Sequence, residues 1–263
     1  MYKYLLSALA VAASVIATPI EERMTTSTCS PVGISPSKAS AIKAAFTSAK
    51  IVPDVVPSID PKVDLYVAYG QKEVKLGNTF SAAETIQDPV FNFTTESDYD
   101  PSTTKYLFII IDPDAPGPED PLLRQFLHKI VYDISPSCMP NPATTTEGGT
   151  TFVMYAPLTP FSVASHRYTY LIYRQPPNFV IPPLQLAEAT RAPFNLQQFV
   201  TQGNLTLVGG RFMREGLGTT VTTGPVKDAI KKAEAALADL KLTPSQKAAL
   251  DKAIVVANKV LGI

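Results

Sequence analysis

The segment "YLFIII" (106–111) puts apolar side chains on both faces of an extended chain, then stops at Asp112-Pro113-Asp114-Ala115-Pro116. A strand with no polar face must be covered on both sides, so this run predicts the centre of a sheet with packed layers above and below. Proline has no N–H and fixes φ, so the loop that follows cannot prolong the ladder and holds both carboxylates in few conformations. A rigid loop at the mouth of a buried strand is a good place for a site. Taken alone, however, Asp-Pro turns cap strands in many folds.

The chain has two histidines, and both fall on strand-like segments beside aromatic residues. In "RQFLHKIVYDI" alternation sets Phe126, His128, Ile130 and Tyr132 on one face. In "SHRYTYLIY" it sets His166, Tyr168, Tyr170 and Ile172 on one face. A histidine on an apolar face is most often a satisfied core residue. Two of them near a buried acid pair make a different case, because buried carboxylates need partners and imidazoles can supply them.

Further strands are expected at Val63–Tyr69, Lys105–Ile111, Phe126–Ile134, Thr151–Tyr155 and Tyr168–Tyr173, with "LTLVGGRFM" as a last one. Helices are expected at 36–49, after a Ser-Pro start, and at Asn195–Thr201. Residues 51–70 are too proline-rich for a helix. With 24 prolines and many β-branched residues, the body reads as mainly β with long loops. From Pro225 the composition turns to Ala, Lys and Leu at helical spacing, and Thr243-Pro244-Ser245-Gln246 then opens a second helix reaching Leu261. A helical hairpin is therefore expected over 223–263, after a body at 18–222.

Residues 1–17 read as a secretory signal: Lys3, an apolar stretch from Leu5 to Ile16, and Val15-Ile16-Ala17 at the cleavage position. That run is too short to anchor the chain across a bilayer. In an oxidising compartment Cys29 and Cys138, the two cysteines, are expected to pair as a disulfide. Asn92-Phe-Thr94 and Asn204-Leu-Thr206 fit the glycosylation sequon. Acids and bases balance at 23 each, so no global charge points to nucleic acid or to electrostatic adsorption on a membrane.

Together these residues resemble the phosphatidylethanolamine-binding protein family, also called the Raf kinase inhibitor protein family. The resemblance rests on the Asp112-Pro-Asp114-Ala-Pro116 loop, His128, and His166-Arg167-Tyr168 followed by "TYLIYRQP". "IVPDVV", "LYVAYGQKEVKLG" and "RAPFNLQQFV" add to it, over roughly residues 48–214. It implies a Greek-key β-sandwich with short peripheral helices and a pocket for phosphate-like anions, including phospholipid headgroups. Carried over by position, Asp112, Asp114, Pro116, Phe126, His128, His166 and Tyr168 would line that pocket.

Two departures stand out. "YAPLTPFSVASHRY" lacks the glycines usual before the His-Arg motif, so Leu158, Phe161 and Val163 could narrow the entrance, and Leu127 stands where the family often has another histidine. The expected role is that of a secreted binding protein for an anion or headgroup, with inhibition of a serine carboxypeptidase or another protein partner as the alternative. Catalysis is not expected, because Gly-x-Ser-x-Gly and His-Glu-x-x-His are absent and Ser165 points to the opposite face from His166. Neither a metal nor a cofactor is expected.

Overall fold

A strand called β5 (Tyr106–Asp112) is buried along its whole length. It lies at the centre of a six-stranded sheet of order β3-β9-β8-β5-β6-β7, where β3 is Leu76–Phe80, β6 Phe126–Ile134, β7 Thr150–Val153, β8 His166–Arg174 and β9 Thr206–Glu215. A second sheet, of order β2-β1-β4, consists of β1 (Leu65–Tyr69), β2 (Lys72–Glu73) and β4 (Val90–Phe93). The computed structural model describes residues 32–136, 149–158, 160, 162, 164–184, 191–216, 228, 231, 235 and 242–261. The signal segment, Cys29 and Cys138 therefore lie outside the described residues, as do Phe161 and Val163.

β5 feeds two cores, as an all-apolar strand must. Tyr106, Phe108 and Ile110 face the small sheet and pack with Leu65, Val67, Phe93, Tyr168 and Tyr170. Leu107, Ile109 and Ile111 face the other way. There they meet Ile42 and Phe46 of α1 (Pro36–Ser48) and Phe199 of α3 (Leu196–Gln202). The N-caps Ser35 and Asn195 each accept a bond from the backbone three residues on, at Lys38 and Gln198, which fixes where these two helices start. Between them Ile51–Asp54 forms one helical turn, α2, interrupted at Val52. A helix was not expected there, and the proline at 53 confines it to that single turn.

β9 carries Gly209 and Gly210 because both faces of the strand are approached closely. A Cβ at Gly209 would meet Val63 at 2.8 Å, and one at Gly210 would meet the Phe46 ring at 2.7 Å. Gly210→Ala is therefore expected to destabilise the fold by about 1–3 kcal/mol through overpacking. Urea unfolding measures this, and pairing the change with Phe46→Leu should recover part of the loss.

The alternation expected along β6 fails at His128. Leu127 pairs with Ile111 and Lys129 with Ile110, so one extra residue bulges between them. Phe126 and His128 stay with the site, but Ile130 and Tyr132 pass to the helix-side core. A single inserted residue reverses the facing of everything after it, and the residue types alone do not reveal where it sits. Leu127 also lies in the helix-side core, away from the histidines.

Of the two sequons, Asn92 is 1% exposed within β4, which leaves no room for a glycan in the folded chain and corrects the expectation for that residue. Asn204 is exposed at the rim of a cleft of about 710 Å³ at the opposite end of the sheet from Asp112. Of the C-terminal hairpin, α4 (Pro244–Leu261) is described. Thr243 and Gln246 form the expected reciprocal cap. Gln246 donates to the Leu122 carbonyl at 3.1 Å and Leu250 is buried, so the helix rests on the end of the acid loop. No described helix is long and apolar enough to cross a membrane.

Candidate functional site

Asp112 ends β5 and is buried with both oxygens engaged. Its Oδ1 accepts the Asp114 N–H at 2.7 Å, which closes the loop into a tight turn. Its Oδ2 accepts from His166 Nδ1 at 2.8 Å. His166 Nε2 in turn lies 3.1 Å from Ser162 Oγ. The Ser162 hydroxyl donates to the Ala164 carbonyl at 2.6 Å, so its oxygen is left to accept. His166 therefore donates from both nitrogens, as an imidazolium does. Burial works against that charge, but the charge and hydrogen bond of Asp112 outweigh it and raise the pKa above the ordinary histidine value.

The second acid of the loop has a different partner. Asp114 takes three bonds from Arg167: the backbone N–H at 2.8 Å, Nε at 2.9 Å and Nη2 at 2.7 Å. Nη1 of the same arginine donates to the Ala49 carbonyl and to Asp54. Arg167 thus ties the acid loop, β8 and the α1–α2 junction together. Pro116 is buried in this loop, and Gly117 presents its bare face to Ser162, whose Cβ would lie 3.4 Å from a Cβ there.

On β6, His128 Nδ1 lies 2.9 Å from the Ala156 carbonyl, and the His128 carbonyl accepts the Ala156 N–H at 3.0 Å. A carbonyl cannot donate, so Nδ1 carries the proton and Nε2 is the acceptor nitrogen. Burial lowers the pKa to about 4, so the ring is neutral at pH 7. Nε2 is buried and has no partner among the described residues. Phe126 packs on this ring at 4.8 Å between centroids. Tyr168 stands between the histidines, 5.4 Å from His128 and 6.0 Å from His166.

Glu215 is the group that reading the sequence missed most completely. It pairs with His166 across β8 and β9, so its side chain lies on the same face. It is wholly buried, and Thr85 Oγ1 donates to its Oε2 at 2.9 Å while Oε1 has no partner among the described residues. Burial pushes its carboxyl well above the usual range despite that bond, so the acid stays protonated at neutral pH. A hydroxyl cluster leads on into the sandwich: Tyr155 donates to the Thr85 carbonyl at 2.6 Å and reaches Tyr69, which meets Tyr170 at 3.0 Å.

The chain therefore brings together Asp112, His128, His166, Phe126 and Tyr168, with Asp114 and Pro116 fixing the loop beside them. Arg167, Ser162 and Glu215 join them unforeseen. Arg167 was visible as the lone cation next to His166, but nothing local tied it to Asp114. Leu158, of the glycine-free turn, is fully buried against the same core, and Thr85 reaches its carbonyl at 3.3 Å. Among the described residues, no group of three or more His, Cys, Asp or Glu is arranged to hold a metal ion.

The family model described as phosphatidylethanolamine-binding protein matches residues 70–243. The chain belongs to that family. Among relatives of this phosphatidylethanolamine-binding protein family chain, CEN-like protein 1 of Nicotiana tabacum is 34% identical over 158 residues, covering 60% of this chain and 82% of that protein. The 26 kDa secreted antigen of Toxocara canis is 30% identical over 174 residues, covering 64% and 62%. A solved carboxypeptidase Y inhibitor, complexed with its cognate proteinase, superposes with a TM-score of 0.57 at 24% identity over 68% of this chain and 96% of that one. The mainly-β sandwich is thus the family fold.

Proposed function

We propose that this phosphatidylethanolamine-binding protein family chain is a secreted binding protein for a phosphate-like anion, free or as a phospholipid headgroup. The ligand would be held by Asp112, His128, His166 and Tyr168, with Phe126 as an aromatic wall and Asp114 and Pro116 fixing the loop. One observation carries the reading: the acceptor nitrogen of His128 is buried and unpartnered beside an imidazolium–carboxylate pair, so the polar groups are satisfied except where a ligand would enter. Asp112 keeps His166 charged and oriented. The Nε2–H of His166 is then available to an anionic oxygen, whose place the Ser162 hydroxyl holds.

Ser162, His166 and Asp112 follow one another as in a serine hydrolase triad, but the polarity is reversed. The hydroxyl proton goes to Ala164 and the imidazole donates to Oγ, so His166 does not act as a base toward it. Binding is therefore favoured over catalysis. Secretion is supported by the N-terminal apolar leader and by the secreted antigen among the relatives. On this reading residues 18–222 form the binding body and 223–263 a helical appendage, with a Cys29–Cys138 bridge and a glycan on Asn204. Inhibition of a serine carboxypeptidase is the alternative role, favoured by the fold shared with the carboxypeptidase Y inhibitor.

A thermal-shift titration with phosphate, phosphoethanolamine and phosphoserine tests the anion reading. At a hundredfold excess over Kd, binding to the folded state adds about 2.7 kcal/mol, or about 5–10 °C in Tm. The rise should vanish in His166→Ala. No shift in the wild-type protein with any of the three at tens of millimolar would overturn the reading and favour a protein partner.

A further inference from the structure

Two features of the site restrict which form of an anion it can hold. The first is the orphaned acceptor: His128 is fastened through Nδ1–H to the Ala156 carbonyl, so the nitrogen left over offers a lone pair and not a proton. An anion oxygen without a proton meets that lone pair repulsively, whereas an oxygen carrying hydrogen donates to it.

The second feature is the local charge. From β5, the Asp112 carboxylate faces His128, and from β8, His166 and the Tyr168 phenol do so. Asp112 and His166 cancel each other. Behind β6, Arg191 donates through Nη1 to the carbonyls of Leu127 and His128 at 3.3 and 2.8 Å, and among the described residues it has no carboxylate partner. Arg167 is held by Asp114 and Asp54, and Glu215 on β9 is protonated. One uncancelled cation balances one negative charge, not two.

We infer that the site takes a phosphate monoester as its singly protonated monoanion, with the P–OH donating to His128 Nε2 and the anionic oxygens turned to His166. This rests on the anion reading above and narrows it. A phosphodiester is also a monoanion but has no P–OH, so it leaves the buried nitrogen unpaired. A headgroup ammonium is the other donor that could reach that nitrogen. Because a phosphate monoester loses its second proton near pH 6, the bound species is abundant in solution below that pH and scarce above it. Binding at pH 8 then takes up about one proton per ligand, and binding at pH 5 takes up none. Affinity falls about tenfold per pH unit above 6.

Calorimetry of the protein with methyl phosphate, dimethyl phosphate and glycerophosphoethanolamine decides the matter, at pH 5 and pH 8, each in two buffers of different ionisation enthalpy. The expected result is methyl phosphate binding at least about tenfold tighter than either diester at pH 5, with proton uptake near zero at pH 5 and near one at pH 8. His128→Phe, shown folded by its melting transition, should bind mono- and diester alike. Equal affinities for methyl and dimethyl phosphate in the wild-type protein would overturn the inference while leaving the anion reading in place. Glycerophosphoethanolamine binding as tightly as methyl phosphate would also overturn it, by assigning the donor to the ammonium. If none of the three binds at either pH, the anion reading itself falls, and this inference with it.

Discussion

Arg167→Met is expected to lower the unfolding free energy by about 3–5 kcal/mol, the largest effect of any single substitution near the site. Asp114 is buried and draws all its side-chain bonds from Arg167, so removing the guanidinium leaves a carboxylate in a low-dielectric region with nothing to pair it. The Ala49 carbonyl loses its donor at the same time. Urea denaturation gives the number. In the double variant Asp114→Ala/Arg167→Met most of the loss should be recovered, because what destabilises the single variant is an unpaired charge and not a missing attraction. A loss below about 1 kcal/mol in the single variant would mean that water reaches Asp114 and the pair behaves as a surface one.

Acidification should cost the fold about 3 kcal/mol through His128 alone. In the unfolded chain this ring takes a proton near pH 6.5, but in the folded one burial delays uptake to about pH 4. Between those values the unfolded state holds the extra proton, so stability drops as the pH falls through the window and the loss is complete below about 4. His166 has the opposite sign. Its folded pKa is raised, so its contribution is full below about 6.5 and fades as the pH rises through the folded value. Unfolding curves from pH 4 to 8 in phosphate-free buffer separate the two when compared with His128→Asn, whose amide can still donate to the Ala156 carbonyl. The variant should be less stable at pH 7 but lose less on going to pH 4. A wild-type and variant pair with parallel pH profiles would show that His128 titrates normally.

Both effects come from residues whose types were visible along the chain and whose pairings were not. The central strand, the two histidine strands, the helices at 36–48 and 196–202 and the capped C-terminal helix are written in local patterns: apolar runs, alternation and side-chain caps. The small sheet was seen only at β1. The short strands Lys72–Glu73, Leu76–Phe80 and Val90–Phe93 carry too few apolar positions for a period to emerge, and they are strands because their neighbours pair with them.

The sequence alone determined that a wholly apolar strand ends in a rigid acid loop, and that two histidines with aromatic neighbours exist to meet it. Those are properties of neighbouring residues, and side-chain chemistry and backbone restriction act locally. Only the tertiary structure decided that Asp112 belongs to His166 while Asp114 belongs to Arg167. It alone revealed that a bulge keeps His128 with the site and sends Ile130 away. It also set Glu215 across from His166 with no charge to meet it. Each of these depends on strand register between segments tens of residues apart, and a one-residue slip in register changes every partner on the face.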